Sequence, residues 1–451
     1  MSFSKDFVWG SATASYQLEG AAFEGGRGYT VWDDFCTIPG NIMDGSDGSE
    51  ACDHYHRYKE DVQCMKAMGM KAYRLSLAWS RLLPEGTGNV NEEGVKFYRN
   101  LFEELLEHGI TPYVTLFHWD LPYALYAKGG WQNPESVEWF AEYAELVARL
   151  YGDKVKHFIT FNEPQCFLGL AHITGELAPG TLMSRRSVLA MAHNVLMAHG
   201  AAVKKLREYV KDAKVGIAPT STVPCPESNS KEDIEAAYNL YFDVPDQKNY
   251  LWNVSWLSDP IFFGNYPEAG LKLFAKDLPN IKATDFELIS QPLDFYGQNI
   301  YNGYKVKSDH NGGYQALTRV AGHPRTAIGW PVVPESLYWG PRFLFERYQI
   351  PILITENGIS CTDTVCLDGK VHDAERCDFH QRYLRELKKA AEEGIAVMGY
   401  FAWSLMDNFE WGKGYTERFG LIHVDYVTQK RTLKDSAYWM KAVMETNGEN
   451  L

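Results

Sequence analysis

His157-Phe158-Ile159-Thr160-Phe161-Asn162-Glu163-Pro164 and Pro351-Ile352-Leu353-Ile354-Thr355-Glu356-Asn357-Gly358 are two apolar runs that each close on a glutamate. Their β-branched and aromatic residues suit a buried, pleated strand. Pro164 and Gly358 break the chain within two residues of the carboxylate. Each run therefore reads as a strand with a carboxylate at its C-terminal end. Six more runs have the same strand character: 7–11, 72–76, 112–117, 215–219, 295–299 and 397–403. Helical patterns lie between them. Segment 58–68 carries Tyr58, Val62, Met65 and Met68 near helical spacing; 95–106 and 137–150 repeat the pattern, and 187–209 and 377–391 are further helices. Gly69, Gly109, Gly152 and Gly394 follow four of these helices and are expected as C-caps.

Eight strands alternating with helices over one continuous chain predict an α/β fold, a (β/α)8 (TIM) barrel. A doubly wound sheet is the alternative, but it calls for a phosphate loop or switch point, and neither G-x-G-x-x-G nor G-x-x-x-x-G-K-[ST] occurs. Without internal repeats or linker-like stretches, residues 1–451 read as a single barrel domain. Three connections, 20–53, 220–257 and 302–335, exceed a minimal turn and are expected to wall an active-site pocket.

Composition narrows the partners. The net charge of −14 argues against nucleic acid and anionic membranes. No apolar run reaches 18 residues, so no membrane span is predicted. The opening Met1-Ser2-Phe3-Ser4-Lys5-Asp6 lacks the basic and apolar regions of a secretory signal, which reads as a cytoplasmic location. Eight cysteines in 451 residues do not make a disulfide scaffold. Cys361, Cys366, His372, Cys377 and His380 cluster in sequence, but their spacing fits no common zinc pattern; they read as free thiols on a loop and a helix, and neither metal nor cofactor is predicted. Self-association into a homo-oligomer is left open. Among 13 Trp and 27 Tyr most must serve the core, yet several Trp adjoin polar residues at strand ends, where an aromatic face can stack on a sugar.

Two carboxylates on the rim of one barrel suit glycoside cleavage, which needs an acid at the leaving oxygen and a carboxylate at the anomeric carbon. T-F-N-E-P at 160–164 and I-T-E-N-G at 354–358 resemble the two signatures of glycoside hydrolase family 1, the retaining β-glucosidases and their relatives. So do F-x-W-G-x-A-T-A-S-Y-Q-x-E-G from Phe7 to Gly20, Y-R-L-S-x-A-W-S-R at 73–81 and F-H-W-D-L-P at 117–122. F-A-W-S-L-M-D-N-F-E-W at 401–411 with R-F-G-L at 418–421 completes the likeness, which runs from Phe7 to about Trp439.

The resemblance implies that Glu163 is the general acid/base and Glu356 the nucleophile. It implies that Gln17, His118, Asn162, Glu410 and Trp411 bind hydroxyls of the first sugar, above an apolar floor at Trp403. Arg74 and Tyr301 are expected beside the nucleophile, and Asn299 on the acid/base side. Trp119, Trp330 and Phe419 are expected as pocket walls. Each has a bland alternative: His118 a structural histidine, Gln17 and Asn299 buried amides, Trp403 core. His172 either lines the leaving-group side or shapes its loop. Two departures stand out. Gln298-Asn299-Ile300-Tyr301 replaces the commoner N-Y-Y wording, and Cys166 lies where the leaving group passes.

Physical chemistry sharpens the roles. A cation at Arg74 and a hydroxyl at Tyr301 favour an ionised Glu356, whereas burial and the Glu356 charge keep Glu163 protonated. Glu410 can accept bonds from two sugar hydroxyls and would repel a 6-phosphate. The expected substrates are therefore unphosphorylated β-glucosides, cello-oligosaccharides and aryl or alkyl glucosides. Side activity on β-galactosides and β-fucosides and transglycosylation are also expected. The competing readings are a 6-phospho-β-glucosidase and a catalytically inactive glycan-binding barrel.

Overall fold

The computed structural model describes residues 3–309 and 311–451. Eight parallel strands close into one barrel: β1 Val8–Ala12, β2 Ala72–Ser76, β3 Thr111–Phe117, β4 His157–Asn162, β5 Lys214–Ala218, β6 Phe295–Asn299, β7 Ile352–Asn357 and β8 Val397–Trp403. Each pairs with its neighbour in sequence, and β1 shuts the ring on β8 with register Val8↔Gly399 to Ala12↔Trp403. All eight expected runs are these strands, within one residue at either end. They read as continuous apolar stretches because helices cover the outside and packed side chains fill the inside.

The five expected helices form as His54–Ala67, Glu92–Glu107, Ser136–Tyr151, Arg185–Tyr209 and Ala374–Glu392. Glu92–Glu107 shows why: Gly94, Phe97, Tyr98, Leu101, Phe102 and Leu105 are buried, a stripe stepping by three and one. Helix Ser336–Tyr348 was not legible, because Gly340 and Pro341 interrupt its pattern. Gly69, Gly109 and Gly394 take left-handed φ values of 70°, 71° and 93°, as C-caps require. Gly152 does not; its φ is −63°. It is small for another reason, since a Cβ there would stand 2.7 Å from the Val210 side chain.

Irregularities sit where the two glutamates emerge. On β4, Ile159 pairs with Gly216 but Asn162 with Ala218, so one extra residue is absorbed just before Glu163. On β7, Ile354 pairs with Gln298 and Glu356 with Asn299, again one residue more than the partner strand. Such bulges re-aim side chains at barrel rims. A π-helix, Gln165–Thr174, follows Glu163 directly. The long connections carry structure of their own: helix Val31–Cys36 in the first, strand Val223–Pro226 and helix Lys231–Phe242 in the second, strands Gly303–Ser308 and Tyr314–Ala316 in the third. After β8, buried Asp407 accepts from Lys434 Nζ at 2.7 Å and Arg418 Nη1 at 2.6 Å, anchoring the loop that carries Glu410.

The Cys361–His380 region does not converge. His380 is buried against Tyr400 Oη at 2.8 Å, while His372 lies at the surface between Asp435 and Asp368. No group of three or more His, Cys, Asp or Glu among the described residues could hold a metal ion. No helix of the described residues is long and apolar enough to cross a membrane.

Gly358, one of the two strand breakers, has no room for a side chain. A Cβ there would lie 1.8 Å from the Trp403 carbonyl oxygen. Gly358→Ala is expected to cost about 1–3 kcal/mol of stability through overpacking, read as a lower urea midpoint. An unchanged midpoint would mean that the β7–β8 rim yields freely.

Candidate active site

At the C-terminal ends of the barrel strands opens a pocket of about 740 Å³. His118, Trp119, Glu163, Tyr301, Trp330, Glu356, Trp403, Glu410, Trp411 and Phe419 line it. Gln17, Arg74, Asn162 and Asn299 stand just behind this wall, fully buried. A larger cavity of about 1200 Å³, between segment 317–335 and helix Ala374–Glu392, touches none of these residues. Apart from His172, the sugar-site residues expected from the sequence therefore gather at one site, in a lining layer and a supporting layer.

Glu356 is held at both oxygens. Arg74 Nη1 donates to Oε1 at 2.6 Å, and Tyr301 Oη donates to Oε2 at 2.6 Å. Arg74 is itself fixed: Nε donates to Thr115 Oγ1, Nη1 also to the Thr355 carbonyl, and Nη2 to Asn162 Oδ1 at 2.6 Å. Burial pushes the Glu356 carboxyl above its ordinary value, and the Arg74 charge and Tyr301 hydroxyl oppose that rise.

Glu163 has a different setting, with no cation bonded to it among the described residues. Asn299 Nδ2 donates to Oε1 at 2.8 Å, and Cys166 Sγ donates to Oε2 at 3.1 Å. Burial first, and then the Glu356 charge, raise Glu163 to about 7. Asn299 is committed throughout: Nδ2 also reaches Asn162 Oδ1, and Oδ1 accepts from Thr355 Oγ1 at 2.6 Å. It supports the carboxylate from behind and does not line the pocket. Glu163 has φ 46°, and Trp119 and Trp411 have φ 80° and 48°. Three non-glycine residues lining the pocket thus sit in the left-handed region, a strain that their surroundings enforce.

The opposite wall is aromatic and polar. Asn162 Nδ2 donates to His118 Nε2 at 2.9 Å, so His118 carries its hydrogen on Nδ1, which has no partner among the described residues. Burial and the Arg74 charge hold His118 well below the usual histidine range, hence neutral. Its ring lies 5.9 Å from both Trp403 and Trp411. Gln17 Nε2 reaches the Phe409 carbonyl at 2.9 Å, Asn408 Oδ1 and Glu410 Oε2, while its Oε1 has no partner among the described residues. Burial, and then the charges of Glu356, Glu417 and Glu163, raise Glu410 to about 8. The wall thus offers a neutral donor at His118 and a carboxyl at Glu410 over the Trp403 ring, with the Gln17 amide directly behind Glu410. That is a lining for a polyhydroxylated ring with one apolar face.

His172 bonds the Thr181 carbonyl at 3.0 Å and lines a neighbouring cavity, so it shapes its loop. Other residues were not legible as part of the site. Thr355 and Asn408 stand one and two residues before Glu356 and Glu410, and only that adjacency hinted at them. Thr220, Ser221, Thr222, Trp252, Asn302 and Ile328 complete the pocket from the long connections, which carry no strand-end signal.

The glycosyl hydrolase family 1 model matches residues 1–449. A beta-glucosidase A of Thermotoga maritima is 44% identical over 447 residues, 99% of this chain and 98% of its own. A beta-glucosidase A of Acetivibrio thermocellus is 43% identical over 454 residues, 99% of each chain. The solved structure of the Thermotoga maritima beta-glucosidase in complex with glucoimidazole superposes with a TM-score of 0.91, at 44% identity over 99% of both chains.

Cys166 supplies one of two side-chain donors to Glu163 among the described residues. Its own thiol is raised well above the ordinary value by burial and by Glu163, so it remains a donor. Cys166→Ala is expected to raise Glu163 further above about 7, by an amount corresponding to about 1 kcal/mol for one lost hydrogen bond. Cys166→Ser, a stronger donor, should lower it. Carboxyl carbon NMR titration of Glu163 reads both; identical titrations in the two variants would show that the contact carries no weight.

Proposed function

The chain belongs to glycosyl hydrolase family 1, and from that premise we propose that it is a retaining β-glucosidase releasing terminal β-D-glucose from cello-oligosaccharides and aryl or alkyl β-glucosides. The observation that carries this reading is the contrast between its two rim carboxylates. Glu356 is paired with a guanidinium and a phenol, whereas Glu163 is held by the neutral donors Asn299 and Cys166 and is raised to about 7.

In this reading a β-glucoside places its first ring over Trp403. His118 Nδ1–H donates to one ring hydroxyl, and Gln17 Oε1 and Glu410 accept from others. The free hydrogen of Asn162 Nδ2 meets the 2-hydroxyl, a bond that strengthens as positive charge develops on the ring. Glu356 attacks the anomeric carbon while Glu163 gives its proton to the departing oxygen. Once Glu356 is an ester its charge is gone, and with it the second-largest cause of the raised Glu163 value. Glu163 then deprotonates water, which attacks the ester and releases glucose with its β-configuration retained. Neither metal nor cofactor enters any of these steps.

The 6-phosphate alternative is disfavoured by charge. Glu410 already feels Glu356, Glu417 and Glu163, and a phosphate dianion would join four carboxyl groups. An inactive glycan-binding barrel is disfavoured by the intact support of both glutamates. A carboxyl at Glu410 can accept from either configuration at O4, so β-galactosides and β-fucosides fit as slower substrates, and sugar acceptors can replace water. We read residues 1–451 as one catalytic unit that completes the breakdown of soluble cellulose fragments in the cytoplasm.

Two experiments test this reading. Glu356→Gly should lower hydrolysis of 4-nitrophenyl β-glucoside by roughly a thousandfold or more. Added azide should restore turnover and yield the α-glucosyl azide, because azide enters from the face Glu356 vacates. Normal turnover without azide, or a β-azide product, would sink the nucleophile assignment. The second concerns pH. Glu163 acts as an acid in its protonated form, so kcat/KM should fall as pH rises through about 7. A profile flat to pH 9 would exclude Glu163 as the proton donor.

A further inference from the structure

Trp119 lines a second chamber besides the catalytic pocket, one of about 250 Å³. It is the one residue that the two linings share. Buried Val31, Phe117, Phe167, Ala178 and Met191 surround the chamber with it. Gly129, Gln132 and Thr181 are exposed members of the lining, so the chamber is open to solvent on that side. No Asp, Glu, Lys or Arg lines it among the described residues.

The polar side chains of the lining differ in what they leave free. Tyr126 Oη and Thr181 Oγ1 share a hydrogen bond at 2.7 Å, and Gln132 Nε2 donates to Ser187 Oγ at 3.3 Å. His172 keeps something in reserve. Its Nδ1 lies 3.0 Å from the Thr181 carbonyl, which can only accept, so Nδ1 carries the hydrogen and Nε2 a lone pair. That lone pair has no partner among the described residues. Burial holds His172 below the ordinary histidine value, so the ring stays neutral and Nε2 stays an acceptor. The chamber thus combines apolar walls, no charge and an open acceptor.

We propose that this chamber is a binding site for small neutral aromatic molecules that carry one hydrogen-bond donor, the chemistry shared by phenols and indoles. Size supports the class: an apolar cavity of about 150 Å³ takes up benzene, and about 250 Å³ has room for two fused rings. The donor answers His172 Nε2, while the ring faces replace water against the apolar walls. A carboxylate or ammonium would lose its hydration there and find no opposite charge. Because Trp119 also walls the catalytic pocket, an occupant of the chamber and a sugar can be bound together on two sides of one indole. The inference goes beyond the β-glucosidase reading and does not depend on it.

The test is calorimetric titration of the full-length enzyme with indole, and with 1-methylindole, which lacks the donor. Indole should bind with a Kd below about 1 mM, and 1-methylindole about 3- to 10-fold more weakly, the worth of one hydrogen bond. His172→Phe removes the acceptor and should bring indole down to the affinity of 1-methylindole. Met191→Trp fills the chamber and should abolish binding of both. Hydrolysis of cellobiose by each variant shows that it folds, and His172→Phe still decides the matter if Met191→Trp does not fold. Indole should not compete with cellobiose in steady-state kinetics. Purely competitive inhibition would place indole in the catalytic pocket and overturn the assignment. Equal affinity for the two indoles in the wild type, or an indole affinity untouched by His172→Phe, would overturn it as well. None of these results bears on the β-glucosidase reading, which stands or falls on turnover.

Discussion

A guanidinium sealed inside a barrel must be paired, and Arg74 is paired with Glu356 at 2.6 Å, with Asn162 at 2.6 Å and with the Thr355 carbonyl. Removing one partner of such a buried pair costs about 3–5 kcal/mol, because the other charge is left uncompensated. The pair therefore fixes the spacing of β2 against β7 at the rim. It also sets the rest of the site in order. Asn162, held by Arg74, orients His118; Asn299, bonded to Asn162, orients Glu163. Both glutamates and the hydroxyl-binding wall hang from one connected network of amide, guanidinium and imidazole hydrogen bonds.

That network carries too many acids for its charge. Glu163, Glu356 and Glu410 face one pocket, with a single guanidinium bonded among them. Proton sharing follows: the carboxylate nearest the cation is the one most favoured to ionise, and the others are raised, Glu163 to about 7 and Glu410 to about 8. Division of labour between chemically identical side chains thus arises from where one cation sits. A neutral ring of hydroxyls is compatible with such a pocket, whereas an additional anion raises all three groups further.

The strained residues tell a related story. Trp119, Glu163 and Trp411 occupy left-handed backbone positions that glycine would adopt at little cost. Each needs its side chain for the pocket, so the fold accepts the strain and offsets it with packing, the Trp119 and Trp411 rings lying 4.6 Å apart. Trp119 adds a bond from Nε1 to the Asn162 carbonyl at 3.1 Å, which ties the aromatic wall to the polar network.

The barrel was legible because its signal is local. Buried parallel strands are continuous apolar runs, and their covering helices show a 3.6-residue stripe; both are properties of a few consecutive residues. Rim residues were legible for the same reason, since each stands at the end of such a run: Glu163 after β4, Glu356 within β7, Trp403 closing β8. Helix Ser336–Tyr348 escaped because Gly340 is small to let the Ile300 side chain approach, a demand of tertiary packing. The same holds for Gly152 against Val210. What the sequence by itself determined was the strand count, the order of the elements and the identity of the side chains at the rim. Which carboxylate is paired, that Asn299 and Gln17 support the site from behind, and that Thr222 and Trp252 complete the pocket were decided only in three dimensions. Charge, burial and hydrogen bonding act through space between residues as far apart as 393 positions in the chain, and no local pattern encodes those distances.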